Sequence, residues 1–553
     1  MRLANIKCCV AQKIHLWHNC NSCLTKTLSR VPQQTTVLRG DVVMHHLRES
    51  MLHLIELTVT TLPYDVFNAI DTAYHRERSS GLPSLALSMM RANAIAAMQY
   101  RSPMCEDTGV ATFYVRCGNS CDRKSILSAI YDAVSEATAK GLLRQSCIDS
   151  VTGESSPNNI GAGFPIVHFE DNGTDEEIEV RLLLKGAGSE NQSRQYSLPC
   201  ELEGVGLAER NLSGVLKCIL HSVYMAQGFG CSPGFLGVCI GGERASGYEW
   251  AKRQLLRALN DENADERLRE LERNALKLAN ELGIGPLGFG GECTLLSCKI
   301  GKLHRHPASF FVSVAYMCWA YRRHGVVIDA RSGEIKRMLY EPSRFEAPAE
   351  LIIPHSVKEL STPLSDVDVK GLKVGDVVKV SGEIFTGRDR VHMRLARSEA
   401  PVDMRGGIIY HCGPLAVREG DEWKILAAGP TTSIRHEPYQ ACVIEKHGLR
   451  AVIGKGGMGE KTRKALSEHG AVYLHAIGGA AKLYADCVEA VEGVWWLDEF
   501  GSVEAMWKLR VKDFIAVVTM DAYGNSLHEK VRNHSYEKLK CIASSLTQNE
   551  ANQ

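Results

Sequence analysis

Residues 451–462 read Ala-Val-Ile-Gly-Lys-Gly-Gly-Met-Gly-Glu-Lys-Thr. A short apolar run comes first, a glycine-rich loop follows, and a polar segment of helical character comes next. Apolar runs at 472–477 and 514–520 alternate with helix-like segments in the same way. Such alternation is typical of an α/β domain. The segment Val378 to Ile384 adds a strand, because its apolar residues alternate with polar ones.

The glycine-rich loop at 454–462 is an incomplete match to a phosphate-binding loop. That motif needs a lysine directly after its last glycine, and here Glu460 comes in between. A carboxylate at this position would repel a phosphate, so nucleotide binding is the weakest interpretation. We expect instead that the glycines let the backbone approach a ligand, with Lys455 directed at an anion. The alternative is an ordinary strand-to-helix turn with a solvated lysine.

Two arginines follow predicted strands in the same way as Lys455. Arg388 lies in Thr386-Gly-Arg-Asp389, and Arg435 ends the segment Gly429-Pro-Thr-Thr-Ser-Ile-Arg435. Ligands of α/β domains bind where strands end, and arginine pairs with carboxylates in bidentate geometry. The three cations together predict a site for a small dicarboxylate, whereas each of them alone is more often a surface charge.

Four prolines, at positions 342, 348, 354 and 363, mark a domain boundary. Because proline interrupts regular structure and stiffens linkers, residues 342–363 are predicted to be a linker. The first domain is expected over 41–341 and the second over 364–535, with a tail at 536–553.

The first domain has a mixed pattern. Apolar residues recur at helical spacing from about 41 to 100, with a break at Leu62-Pro63 and a renewed helical period from Asp65 to His75. Further on, short apolar runs such as Val180 to Leu184 alternate with Gly-rich turns and helices, and Tyr248 to Leu282 is a charged helical stretch. The predicted fold class of the whole chain is therefore α/β and α+β, in two domains.

The composition excludes several classes of protein. The chain has 553 residues, with 64 Lys plus Arg and 64 Asp plus Glu, so no global basic field recruits nucleic acid or an anionic membrane. An apolar content of 44% excludes disorder over the whole chain. The longest uncharged run, Cys218 to Gly242, holds six Gly and one Pro, so no membrane helix is predicted.

Residues 1–40 differ from the rest, since they hold six basic and no acidic residues. Such a leader is typical of an organelle transit peptide, so we expect a mitochondrial protein; the alternatives are a disordered extension and a cytoplasmic location. The 19 Cys show no disulfide-type spacing, which favours a reducing compartment. Cys20 and Cys23 form an isolated pair, and no second pair follows closely to complete a zinc site.

Three other cysteines stand in distinctive segments. Cys105 lies in Pro-Met-Cys-Glu-Asp-Thr-Gly, Cys231 in Phe-Gly-Cys-Ser-Pro-Gly, and Cys318 in Tyr-Met-Cys-Trp-Ala. Their wide separation along the chain does not distinguish metal ligands from core thiols, and a single Cys is usually part of a core.

Together these segments resemble the class I, iron–sulfur-dependent fumarate hydratase and L(+)-tartrate dehydratase family, over roughly residues 50–530. Alpha-like and beta-like portions, which are separate chains in the two-subunit branch of that family, are fused here. The landmarks of the first domain are Cys105-Glu-Asp-Thr-Gly109, Lys185-Gly-Ala-Gly-Ser-Glu-Asn191, Gly237-Val-Cys-Ile-Gly-Gly242, Gly283 to Gly291, His306-Pro-Ala-Ser309 and Cys318-Trp-Ala. Those of the second are Gly387-Arg-Asp389, Gly429-Pro-Thr-Thr432 and Gly454-Lys-Gly-Gly457. The resemblance implies an N-terminal cluster-binding domain and a C-terminal swivelling β/α domain.

The resemblance also implies a 4Fe–4S cluster held by the thiolates of Cys105, Cys231 and Cys318, with one iron lacking a protein ligand. Thiolates are the usual ligands of such clusters, and an open iron position can act as a Lewis acid on a substrate oxygen. The residues implied to bind the substrate are Glu106, Arg144, Gly161, His306, Arg388, Arg435 and Lys455. Thr431 is implied as the general base, assisted by Arg388 and Lys455, and Asp107 as the acid.

Three segments depart from the family pattern. Glu106 stands where Gln is usual, and a carboxylate there repels a dianionic substrate unless it is protonated or paired. The pattern Asn-Thr-Gly-x-Asn reads Asn159-Ile-Gly-Ala-Gly163, so the second Asn side chain is missing. After Gly387-Arg-Asp389, the usual Ala-Ala-His-Lys becomes Arg390-Val-His-Met393.

The sequence therefore predicts a hydro-lyase that interconverts fumarate and (S)-malate and forms a homodimer, without nucleic acid or membrane partners. L(+)-tartrate dehydration to oxaloacetate is the alternative within the class, since malate and tartrate differ by one hydroxyl. A non-catalytic iron–sulfur or redox-responsive protein is the alternative of another class. Glu106 and Gly163 favour that alternative, and the retained cysteines and cations oppose it.

Overall fold

The computed structural model describes residues 35–77, 81–345, 351, 353 and 356–551. The leader prediction for residues 1–34, including the pair Cys20 and Cys23, lies outside the described residues. Residues 35–40, predicted as the end of the leader, are the first residues of a helix.

The first domain begins with helices, as the spacing of its apolar residues predicts. Pro63 separates the first two, since proline lacks a backbone N–H and is tolerated at a helix start. The helices of this domain are α1 Thr35–Thr60, α2 Tyr64–Arg76, α3 Leu82–Gln99, α4 Arg123–Ala139, α5 Ala187–Glu190, α6 Leu212–Ala226, α7 Arg244–Gln254 and α8 Glu266–Glu281.

The charged stretch from Tyr248 to Leu282 is not one continuous helix. It holds the end of α7 and all of α8. The second helix starts where the Asp265 side chain accepts a hydrogen bond from the Arg267 N–H, which caps the helix. An Asp before a helical run is the signal that could have located this start from the sequence.

Two larger sheets and a two-stranded one complete the described part of the first domain. Its strands are β1 Val110–Arg116, β2 Ile166–Glu170, β3 Glu177–Lys185, β4 Arg194–Ser197, β5 Cys200–Leu202, β6 Gly206–Ala208, β7 Gly234–Ile240, β8 Leu295–Lys302, β9 Phe311–Met317, β10 Arg322–Asp329 and β11 Ile335–Met338. One sheet has the order β11-β10-β3-β1-β2, another has the order β4-β9-β7-β8, and β5 pairs with β6. The strand predicted at Val180 to Leu184 is confirmed as part of β3.

Each sheet buries one face against helices. Apolar residues of α1 and α4, such as Met51 and Ile130, pack with Phe113 and Leu182 of the five-stranded sheet. The four-stranded sheet packs in the same way against α6 and α8. This packing therefore fixes the positions of the chain segments that lead into β7 and out of β9.

The second domain is built on a closed barrel. Its strands are β12 Val357–Ser361, β13 Val377–Thr386, β14 Ile408–Tyr410, β15 Leu415–Glu419, β16 Glu422–Ala427, β17 Ala451–Gly454, β18 Val472–His475, β19 Val488–Trp495 and β20 Met506–Met520. Strands β13, β14, β17 and β18 are parallel neighbours. The antiparallel strand β20 pairs with both β18 and β13 and so closes the ring.

Helices cover the outside of the barrel. They are α9 Asp366–Lys370, α10 Asp389–Arg397, α11 Glu437–His447, α12 Glu460–His469, α13 Ala481–Asp486, α14 Leu497–Phe500 and α15 Leu527–Ala551. The two-domain α/β and α+β prediction is confirmed, and so are the strands predicted at Val378 to Ile384 and at 514–520. Because the four parallel strands point the same way, their carboxyl ends share one end of the barrel.

The segment 536–553 is not the tail that the sequence predicts. As far as residue 551 it continues α15, which leaves the second domain and packs on α6 of the first. Leu539 and Ala543 are buried in that contact, and Tyr536 lies beside Tyr224. The apolar side chains of this helix explain why it folds back.

None of the helices in the described ranges combines the length and apolar character needed to cross a bilayer.

Candidate functional site

The site lies where the barrel meets the first domain. Lys455 directly follows β17, and Arg388 follows β13 by two residues. Arg435 belongs to a short 3-10 helix, Ser433–His436, whose Ser433 N–H donates to the Lys455 carbonyl (3.1 Å). The predicted positions of Lys455 and Arg388 after strands are confirmed.

Cys231 and Cys318 are neighbours, although 87 residues separate them in the sequence. The N–H of Trp319 donates to the carbonyl of Cys231 (3.2 Å), which places the residue after Cys318 beside Cys231. Cys231 has φ +56°, a left-handed conformation that costs a non-glycine residue roughly 1–2 kcal/mol. Strain of this kind persists where the surroundings fix the residue, and it is common at functional sites.

Cys105 faces the same pocket from the chain segment that precedes β1. Its thiol donates to Glu106 Oε2 (3.2 Å), and both residues are at least 95% buried. Burial and the adjacent Glu106 carboxylate raise the pKa of the Cys105 thiol well above its usual value. Binding a metal there therefore has to displace a firmly held proton.

Lys455 is the centre of this arrangement. Burial alone would lower the pKa of its ammonium group, but the neighbouring Cys231, Glu106 and Cys105 raise it. Burial raises the pKa of the Cys231 thiol to about 11, and the hydrogen bond and charge of Lys455 act in the opposite direction. A cation that is only 6% exposed thus faces the thiols and Glu106 together.

Asp107 and Arg144 connect the two domains. Asp107 Oδ2 accepts from the N–H of Ala187 (2.8 Å), and its Oδ1 lies 3.7 Å from Nη2 of Arg144. Arg144 Nη1 in turn donates to the carbonyl of Gly413 in the second domain (3.1 Å). Burial alone would raise the pKa of Asp107, but the charges of Arg144, Arg322 and Lys455 outweigh it and lower that pKa. Asp107 is therefore ionised.

Thr431 contacts a cation, but not one of those expected. Its hydroxyl oxygen accepts from Nη2 of Arg435 (3.2 Å). Arg388 is instead 3.3 Å from Oε1 of Glu504, and Lys455 faces the thiols. Arg435 rather than Arg388 or Lys455 is thus the direct partner of Thr431, because it lies one helical turn further along the same segment.

Two predicted residues are not brought into this cluster. Gly161 lies on an exposed loop, where its N–H donates to the Phe164 carbonyl (2.9 Å). In the same loop, Asn159 Nδ2 donates to the Arg144 carbonyl (2.9 Å). His306 is exposed on the loop before β9, whereas Cys318 follows the end of β9. The seven-residue strand that separates them in the chain spans roughly 20 Å.

Three residues of this region escaped the sequence reasoning. Arg322 is 1% exposed and donates from Nη2 to the Asp107 carbonyl (2.7 Å), while its Nε and Nη1 have no partner among the described residues. Lys185 is paired with Glu190 beside Cys318. Asn93 is fully buried in α3. In each case a polar residue within an apolar run was the available signal.

Comparisons with known proteins agree with this geometry. A family model described as fumarate hydratase matches residues 48–327, and one described as fumarase C-terminus matches 334–531. A putative class I fumarate hydratase of Geobacillus stearothermophilus is 53% identical over 507 residues, which are 90% of this chain and 98% of the relative.

Relatives with separate subunits match the two domains one by one. A putative L(+)-tartrate dehydratase subunit alpha of Methanocaldococcus jannaschii is 32% identical over 51% of this chain and 95% of its own length. The corresponding beta subunit is 41% identical over 32% of this chain and 93% of its own length. The chain therefore belongs to the class I fumarate hydratase and L(+)-tartrate dehydratase family, with both portions fused, and it is a hydro-lyase.

Proposed function

We propose that this hydro-lyase interconverts fumarate and (S)-malate with a 4Fe–4S cluster held by Cys105, Cys231 and Cys318. The observation that carries the proposal is that Cys105 and Cys231 both lie beside Lys455, with Cys318 next to Cys231, close to the cations around Asp107. A dicarboxylate that enters between the domains meets thiol-rich and cationic walls on opposite sides.

The residues present fit an iron–sulfur cluster. Thiolates are its usual ligands, and three of them leave one iron without a protein ligand. Arg322, a buried guanidinium with two unpartnered N–H groups beside Cys105, can donate to sulfur atoms that carry negative charge. Gly478 covers Cys231 without a side chain, since a Cβ there would lie 2.5 Å from Sγ. The bound cluster supplies a Lewis-acidic iron position for a substrate oxygen.

The arginines and Lys455 contribute to substrate binding in different ways. Arg388 and Arg435 present guanidinium groups, which suit carboxylates in bidentate fashion. Arg144 is fixed by Asp107 and Gly413 and so presents its charge from the first domain. Lys455 lies beside the thiols, so its positive charge can offset that of the thiolates and of a bound carboxylate.

The lowered pKa of Asp107 suits the hydration direction. Ionised Asp107 can accept a proton from the attacking water, while the Thr431 hydroxyl can give its proton to the neighbouring carbon of fumarate. Arg435, which donates to the Thr431 oxygen, stabilises the alkoxide-like charge that this transfer leaves. In the dehydration direction the same groups exchange roles, so Thr431 is the base and Asp107 the acid.

A second substrate, L(+)-tartrate, is favoured by one observation. Glu106 places a buried carboxylate in the pocket, and a carboxylate accepts hydrogen bonds. Tartrate has one more hydroxyl donor than malate, which such a group can bind.

The proposal is tested with protein that is purified without oxygen and reconstituted with iron and sulfide. Fumarate formation from added (S)-malate, followed by its absorbance, should occur and should stop after exposure to air, because an open iron is oxidised and lost. Faster turnover of L(+)-tartrate would reassign the substrate. A cluster without turnover of either acid would favour the non-catalytic alternative, and the absence of any cluster would refute the three-cysteine assignment.

The homodimer and the mitochondrial location stay predictions, the latter based on the acid-free leader. Sedimentation equilibrium of the loaded enzyme tests the first. The second is tested by the leader fusion described in the Discussion.

A further inference from the structure

Three histidines meet behind the cationic wall of the site. His392 lies in α10, His411 directly follows β14, and His436 ends the 3-10 helix. All three are fully buried, with ring centroids 4.3–4.8 Å apart. Their ring nitrogens come within 4.8 Å of one another. The proposed function gives these imidazoles no role.

We infer that His392 and His411 form, with Gln440, a neutral hydrogen-bonded cluster on which the ring of His436 packs, and that this cluster positions the substrate-binding arginines and Thr431. This inference rests on the proposed function of those residues. The histidines act through their neighbours, so they are positioning residues and not catalytic ones.

The hydrogen bonds define the tautomers. His392 Nδ1 lies 2.8 Å from the Arg388 carbonyl, which only accepts, so Nδ1 carries the hydrogen. In a neutral imidazole the Nε2 is then an acceptor and needs a donor. The Gln440 side-chain atom placed as Oε1 lies 3.0 Å from this Nε2 and 2.7 Å from the Nε2 of His411. An oxygen there cannot donate to either ring.

The carboxamide of Gln440 supplies this donor when its NH2 group points at both rings. A half-turn of the amide exchanges its oxygen and nitrogen and leaves its shape unchanged. In the opposite orientation, its nitrogen has no partner among the described residues, and His392 has to carry a buried positive charge. When the Gln440 NH2 group points at the rings, His411 donates from Nδ1 to Ser433 Oγ (2.8 Å). The rings of His392 and His411 are then both neutral, and all of their nitrogens have hydrogen-bond partners.

The surroundings favour the neutral state. Burial lowers the pKa of each of the three imidazoles, and the nearby charges of Arg388 and Arg435 add to this effect at His436. The anion facing the cluster is Asp389, 3.8 Å from His436 Nε2, and it is already paired with Arg435 at 3.0 Å.

The cluster fixes the backbone of the substrate side. His392 holds the carbonyl of Arg388, and the His411 carbonyl accepts from the Thr431 N–H (2.7 Å). His436 directly follows Arg435. The imidazole of His392 thus bonds the backbone of Arg388 directly, whereas Thr431 and Arg435 are linked to the cluster through the backbones of His411 and His436.

A metal ion fits these imidazoles less well. The rings of His392 and His436 are stacked, with 24° between their planes, so their in-plane lone pairs point side by side and not at one ion. The adjacent arginines would also repel a cation. Metal binding is therefore an outcome that the experiment has to exclude.

The test uses the reconstituted enzyme and calorimetric binding of succinate, a dicarboxylate that does not react. His392→Leu should weaken binding about tenfold, whereas His392→Asn, whose amide can still donate to the Arg388 carbonyl, should stay within about threefold of the natural protein. His447→Leu is the matched control, since His447 is buried and bonds a carbonyl of α10 (2.9 Å) without touching the cluster. Equal effects of the Leu and Asn variants, or none, would overturn the inference.

A second readout does not depend on any ligand. Gln440→Glu removes the donor, so a ring has to take up a proton and gains a folded-state pKa above its unfolded one. The stability of that variant relative to the natural protein should then fall as the pH rises from about 6 to about 8. Two results would refute the neutral cluster. One is a stability difference between Gln440→Glu and the natural protein that does not change with pH. The other is one bound non-iron metal ion per chain that is lost in His392→Leu. If succinate binds but neither malate nor tartrate reacts, the proposed function fails and this inference stands.

Discussion

Replacing Asn93 by alanine should destabilise the enzyme strongly, because this one side chain joins the two domains. Its Nδ2 donates to the carbonyls of Met104 (2.9 Å) and Gly479 (3.1 Å). Its Oδ1 accepts from the N–H groups of Lys482 (3.0 Å) and Leu483 (3.1 Å). It thus caps helix α13 of the second domain from within the first domain.

The magnitude follows from the groups that lose their partner. Met104 keeps a second bond, from the Ala481 N–H (3.2 Å), so three backbone groups are left unpaired: two N–H groups and the Gly479 carbonyl. An unpaired buried group costs about 1–3 kcal/mol. Since Lys482 and Leu483 are only half-buried and water can reach them in part, we expect a loss of about 3–5 kcal/mol in the free energy of unfolding.

The isosteric Asn93→Asp is the sharper variant. It keeps the acceptor for the helix but turns an oxygen toward two carbonyls, so it should be at least as destabilising as Asn93→Ala at neutral pH. Its buried carboxyl then has a raised pKa in the folded state. The free energy of unfolding of this variant should therefore decrease as the pH rises. Its difference from that of the natural protein should shrink as the pH falls.

Urea unfolding, followed by far-ultraviolet circular dichroism, measures these differences. The control is Asn119→Ala, because Asn119 is exposed and bonds exposed side chains, Asp171 (2.7 Å) and Arg123 (3.5 Å). This variant should change the free energy of unfolding by less than about 0.5 kcal/mol. A loss below about 1 kcal/mol for Asn93→Ala, or an Asp variant more stable than the Ala variant at neutral pH, would refute the reasoning.

Cys105→Ser should abolish turnover and iron loading while circular dichroism shows the second domain still folded; retained activity would contradict the cluster assignment. Glu106→Gln should tighten fumarate binding, because it removes a carboxylate that repels the dianion, and an unchanged Michaelis constant would contradict this. Glu190→Gln leaves the buried Lys185 without its partner at 2.5 Å and should cost about 3–5 kcal/mol. Since burial lowers the folded-state pKa of Lys185 to about 8 and the loss of Glu190 lowers it further, that cost should diminish as the pH rises. Residues 1–40 fused to a fluorescent protein should direct it to mitochondria, and a diffuse cytoplasmic signal would contradict the transit peptide.

Local patterns identified much of the second domain and of its cationic wall. Lys455 and Arg388 follow strands whose apolar pattern is visible in the sequence, and their common side of the domain follows from parallel strand order. The closure of the barrel was not predictable in this way. It depends on pairing between β13 and β20, more than a hundred residues apart, and no local periodicity encodes which distant strand is the partner.

The residues of the site, too, could be predicted from local sequence patterns only in part. The three cysteines came from the family resemblance, because their spacing alone carries no ligand signal. Arg322 and Asn93 act through contacts between segments that are far apart in sequence, so only the folded chain reveals their partners. The distance of His306 from the thiols likewise depends on the direction of β9, which a motif does not state.

The return of α15 to the first domain has a mechanical consequence. The second domain is connected to the first at its start, by the chain after residue 345, and again at its end, where α15 lies on α6. A rigid body attached at two points can turn only about the line that joins them. A rotation about the line through these two attachments would open the pocket to a dicarboxylate without breaking either of them, and its reversal would return the arginines to one place.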